Sequence, residues 1–141
     1  RIMTTTATIE STATPVSKGK LWTGRIMGGL VIAFILMDSI FKLIPNDMVM
    51  AGSVELGFQA HHIPVMGVLG FISILLFAIP RTQVLGAILL TGYFGGAIAT
   101  HVRLDNPLFS HILFPVYLAV LAWGSLWLKN ENFRKLILGK K

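Results

Sequence analysis

Cysteine is absent from this 141-residue chain. Dithiol–disulfide chemistry, thiolate metal sites and cysteine-ligated iron–sulfur clusters are therefore excluded within it. Charge is scarce as well: 13% of residues are charged, against about 25% in a typical soluble domain. Acidic side chains are the rarer kind, six Asp and Glu against twelve Lys and Arg, for a net charge of +6. No phosphate-cradling glycine loop follows a strand, and no nucleophilic triad pattern is present. What fills the chain instead is hydrocarbon, with 54% of residues hydrophobic.

The apolar residues gather in four windows, residues 26–44, 64–79, 82–100 and 108–128. Each approaches the roughly 20 residues that carry a helix across a bilayer, the second being short. The expected fold class is all-α, an integral membrane four-helix up-down-up-down bundle with spans at about 24–44, 64–79, 82–101 and 108–128. Residues 1–21 form a polar lead expected to be flexible, with Met3 the expected natural start, and residues 129–141 a basic cytoplasmic tail. Pro45 stops the first helix, Pro64 suits the first turn of the second, and the loop between them is expected to lie in the interface as one or two helical turns.

The basic residues are placed, not scattered. Arg1, Lys18, Lys20, Arg25, Arg81, Lys129, Arg134, Lys135, Lys140 and Lys141 all fall on one side of this topology. The positive-inside rule then makes both termini cytoplasmic, in a multi-pass membrane protein. Charges so arranged are topology determinants that contact the lipid bilayer, and nucleic acid is excluded as a partner. Trp22, Trp123 and Trp127 fit an aromatic belt at the cytoplasmic interface. Gly24 and Gly28, Gly67 and Gly70, and Gly92 and Gly96 are spaced to let helix backbones approach closely.

The other side collects the polar groups. Asp38 and Lys42 stand four apart on one face of the first helix, within reach of each other. His101 and Arg103 end the third helix, His111 opens the fourth, and Gln59, His61 and His62 lie in the outer loop. An ionisable side chain within a span costs about 2.5–3.5 kcal/mol on insertion scales and so seeks a partner. Asp38 is expected to pair with Lys42 or Arg103, either to fix helix order or to hold a ligand. Pro115 removes the usual partner of the His111 carbonyl and so is expected to kink the fourth helix and leave an acceptor there. Adjacent His61 and His62 point different ways on a helix, and His101 and His111 lack a chelating spacing, so no metal site is expected.

Four stretches carry a family resemblance: "DSIFKLI", "LGFQAHHIPVMGVLGFISILLFAIPRTQVLGA", "GAILLTGYFGGAIATHVR" and "NPLFSHILFPVYLAVLAWGSLWL". Over roughly residues 21–128 the chain resembles the DoxX-like family of small bacterial membrane proteins. The resemblance implies a four-helix membrane protein. It also implies a link to quinones, since founding members are named as a small subunit of a thiosulfate:quinone oxidoreductase and relatives are connected with quinone stress. Distant relatives are assembly chaperones or cargo receptors. No single residue receives a role from it; Asp38, Lys42, Gln59, His61, His62, His101, Arg103, Asn106, Pro107 and His111 fall within the resembling stretches.

Three functions follow as expectations. The first is binding of a small apolar ligand with a polar head, quinone-like, at the outer cluster, in a redox-related role served by an outside partner. The second is a structural or assembly subunit whose glycine faces dock on a larger membrane complex or a second copy. Transport of a small solute is the third, opposed by the lack of matching polar residues in the cytoplasmic half.

Overall fold

The computed structural model describes residues 17–44 and 46–140. Residues 1–16 of the expected lead and Pro45, the expected helix stop, lie outside the described residues. Every regular element described is helical: α1 (Lys18–Leu43), α2 (Asp47–Glu55), α3 (His62–Ala78), α4 (Gln83–Arg103), α5 (Phe114–Lys129) and α6 (Glu131–Ile137). A 3₁₀ turn at Pro80–Thr82 leads into α4, and a π turn at Leu108–Ile112 precedes α5. Three stretches are long and apolar enough to cross a membrane, Lys18–Leu43, Pro80–Arg103 and Leu108–Lys129, while α3 is a shorter apolar helix.

Local chemistry sets the ends. α1 begins at Lys18, ahead of the expected span start near residue 24, because Ser17 Oγ accepts from the Lys20 amide at 3.3 Å and satisfies a donor the helix leaves unpaired. Asn46 caps α2 in the same way through the Met48 amide, at 2.9 Å. At α5 the structure corrects an expectation. The fourth apolar window is not a uniform α-helix with a proline kink: a π turn gives way to α5 at Leu113, which puts Pro115 in the first turn of α5. A missing N–H has no consequence there, since first-turn amides lack intrahelical partners anyway. Before Leu113, the His111 and Ile112 amides share the Pro107 carbonyl, at 3.1 and 3.2 Å.

α1 packs against α3 and α5, and α4 packs against the same two. Their common core includes Val31, Ile35, Ile74, Phe77, Leu90 and Leu126. Outward faces are equally apolar: Val65, Val68, Leu69 and Ile72 of α3 are exposed, as are Leu85, Ile88 and Leu89 of α4. Helices that are hydrophobic inside and out belong in lipid.

Glycine sets several of the contacts. At α1 and α5, Gly24 and Gly28 are buried, and Ser125 Oγ donates to the Gly24 carbonyl at 2.6 Å. Gly67 faces Lys42 and Leu43, Gly70 faces Ser39 and Tyr93, and Gly86 meets the Phe77 backbone. Gly92 and Gly96 differ: a Cβ at either would meet nothing within 4 Å. Ser125→Ala is expected to lower stability by about 0.6–1 kcal/mol, the usual worth of an interhelical hydrogen bond, checked by thermal unfolding in detergent.

The basic stretch after α5 is partly folded. Asn130 Oδ1 caps α6 through the Phe133 amide at 3.0 Å, and the buried Phe133 ring stacks on Trp123 with centroids 5.5 Å apart. Trp123, half-buried, reaches across to α4, donating from Nε1 to Thr91 Oγ1 at 2.7 Å, while Trp22 and Trp127 stay exposed.

Candidate functional site

A cavity of about 660 Å³ lies among α1, α3, α4 and α5, roofed by α2 and Phe58. Its size falls in the range of small-molecule sites. Phe34, Phe94 and Phe114 supply aromatic wall, and α2 contributes Val49 and Ser53. The polar groups on the wall are few, and three of them touch.

Asp38 and Lys42 lie one turn apart on α1, and Lys42 Nζ meets Asp38 Oδ2 at 2.7 Å. Tyr93 closes the group from α4. Its hydroxyl accepts from Lys42 Nζ at 2.8 Å and donates to Asp38 Oδ2 at 3.4 Å. The Lys42 and Asp38 side chains are 18% and 32% exposed, so the pair sits within the wall and not in bulk solvent. Charge is balanced within the pair. An ammonium carries three protons. Two are engaged by Asp38 and Tyr93, which leaves Lys42 one further donor.

The remaining expected residues divide. His101 lines the cavity, two turns beyond Tyr93, together with Thr100. Asn106 Nδ2 lies 2.8 Å from His101 Nδ1, and the His101 and His111 rings stand 5.6 Å apart. His111 itself is exposed, with Nδ1 2.7 Å from Ser110 Oγ. Arg103 does not reach Asp38; its Nη2 donates to the Leu56 carbonyl at 3.0 Å. There it holds the C-terminal end of α2, where carbonyls lack helical partners. Gly57 makes room for it, with φ of +85° and the guanidinium nitrogen 2.9 Å from where a Cβ would stand. His61, His62 and Gln59 are exposed and border no part of the cavity; the Gln59 amide donates to His62 Nδ1 at 3.1 Å.

The cavity thus unites Asp38, Lys42 and His101 and leaves Gln59, His61, His62, Arg103 and His111 outside its lining. Tyr93, Ser53 and Thr100 line it without having been expected. A signal for Tyr93 existed in "GYFGG": a phenolic hydroxyl inside an apolar helix needs a partner, and Asp38 and Lys42 were the candidates at membrane depth.

No curated protein and no solved structure matches the chain. The sequence pattern that defines the DoxX-like family matches residues 26–125, which takes in α2 to α4 and most of α1 and α5. On that coverage the protein, an apolar-helical membrane protein, belongs to the DoxX-like family.

Proposed function

We propose that the protein binds a small apolar molecule with an uncharged polar head, quinone-like, in a redox-related role. In this reading α1, α3, α4 and α5 form an up-down-up-down bundle in the bacterial inner membrane, both termini are cytoplasmic, and the cavity lies toward the outer leaflet. The observation that carries it is a 660 Å³ apolar cavity that ends on a charge-balanced Asp38–Lys42–Tyr93 group. Aromatic walls suit a ring, and the remaining Lys42 proton suits a carbonyl. With the two charges cancelling, a neutral head is favoured over an anion. The ligand carries the electrons, and the protein's residues hold and orient its head. Gly92 and Gly96 border the cavity.

Native mass spectrometry of gently extracted protein, with lipid extraction of the same sample, tests this. A discrete small molecule at fixed stoichiometry is expected. Tyr93→Phe, which deletes a single hydroxyl, should weaken its affinity about tenfold, equivalent to roughly 1.4 kcal/mol. Protein carrying only bulk phospholipid would overturn the proposal.

A further inference from the structure

The cavity's wall and the protein's lipid-facing surface share residues. On α4 the exposed positions Leu85, Ile88, Leu89, Gly92, Gly95 and Gly96 recur at helical spacing and form one outward stripe. On α3 the outward stripe is Val65, Val68, Leu69 and Ile72. Gly92 and Gly96 from the first stripe and Leu69 from the second also line the cavity, Leu69 being 53% exposed. A residue that does both marks an opening.

The helices' own contacts show where the opening begins. α3 and α4 are pressed together at Gly86, whose α-carbon faces the Phe77 backbone, and the Tyr93 ring still reaches Gly70. Past that level α4 presents glycine where it carried Leu85, Ile88 and Leu89, and nothing stands within 4 Å of where the side chains of Gly92 and Gly96 would begin. The opposite approach is roofed: α2 and the residue that ends it line the cavity with Val49, Ser53 and Leu56, and Arg103 donates to the Leu56 carbonyl.

We propose that the cavity is loaded from within the bilayer, through a lateral slot between α3 and α4 bounded by Leu69, Gly92 and Gly96. This rests on the ligand-binding reading above and deepens it. The ligand class is a membrane-dissolved molecule with an apolar tail. Its uncharged head reaches the Asp38–Lys42–Tyr93 group, and the tail passes between the two helices into lipid. A molecule arriving from water would have to displace α2; one arriving from lipid crosses only apolar surface and two glycines.

The absence of cysteine gives a clean test. Ala97→Cys, on the cavity wall, carries a bimane label in vesicles whose lipids are brominated along the acyl chain. Quenching is expected, and it is expected to be lost when Gly92→Leu and Gly96→Leu fill the slot. A label at Leu89→Cys, on the same outward stripe below the cavity, should be quenched equally in both backgrounds and so reports that the filled variant is folded. Quenching of the Ala97 position by aqueous iodide but not by brominated chains would overturn lateral entry, as would brominated-chain quenching unaffected by filling the slot. Decylubiquinone added to the unlabelled protein separates the two readings. Its retention at fixed stoichiometry supports both. No retention, with chain quenching intact, keeps the slot and removes the quinone-like ligand, the occupant then being another tailed lipid.

Discussion

Gly86→Ala is expected to lower stability by about 3 kcal/mol or more, whereas Gly95→Ala should change it by less than about 1 kcal/mol and raise it. Both add one methyl to α4, nine residues apart. At Gly86 the new carbon would overlap the backbone of Phe77 and Leu76, and backbone cannot rotate aside as a side chain can. Either α3 moves away from α4 or α4 bends, and both loosen the core around Phe77 and Leu90. At Gly95 the methyl meets nothing within 4 Å and only stiffens an exposed turn. Thermal unfolding followed by size-exclusion chromatography checks the pair. Equal midpoints for Gly86→Ala and wild type would show that α3 and α4 do not meet as described.

The second large effect concerns the polar group. Lys42→Met should destabilise the protein by about 2 kcal/mol, below the 3–5 kcal/mol of a fully buried pair because Asp38 keeps some access to solvent. The variant leaves a carboxylate facing an apolar cavity with only the Tyr93 hydroxyl beside it. Removing the carboxylate too, as Lys42→Met with Asp38→Leu, should restore most of the lost stability, since a replaced pair avoids the desolvation that a broken pair suffers. Double-mutant coupling above about 1 kcal/mol is expected. Ligand retention should not return with the stability. Recovery of both would mean that the pair only fixes helix order and that the head group binds elsewhere.

The long apolar runs made the membrane-capable helices legible, because a small chain has no core large enough to cover hydrocarbon on every face of each helix. The Asp38–Lys42 pair was legible too, since a four-residue spacing on a helix determines adjacency without knowledge of the fold. Short elements were harder. α6 has seven residues and depends on Phe133 finding Trp123, a contact no local pattern announces. Glycine spacing was ambiguous in a different way: Gly24 and Gly28 lie under a neighbour, Gly92 and Gly96 lie under none, and the same four-residue interval describes both. Arg103 was one of two partners expected for Asp38; Lys42 takes that place and Arg103 satisfies the unpaired carbonyl end of α2, and backbone acceptors are invisible to a search for opposite charges. Pro115 was read as a kink because a continuous apolar run hid the start of α5 at Phe114.

α3 carries a consequence for the membrane itself. Its 17 residues rise about 26 Å, some 4 Å less than the roughly 30 Å of a typical hydrocarbon core, whereas the 26 residues of α1 rise about 39 Å. In the orientation proposed above, lipid beside α3 must compress to keep the helix ends wet, at fractions of a kcal/mol per ångström. That thinned annulus borders the slot between α3 and α4, so acyl chains are already disordered where a tailed molecule would leave the bilayer. Bilayer thickness then becomes a control on occupancy: shorter-chain membranes relieve the compression, and thicker ones concentrate it on the α3 side of the protein.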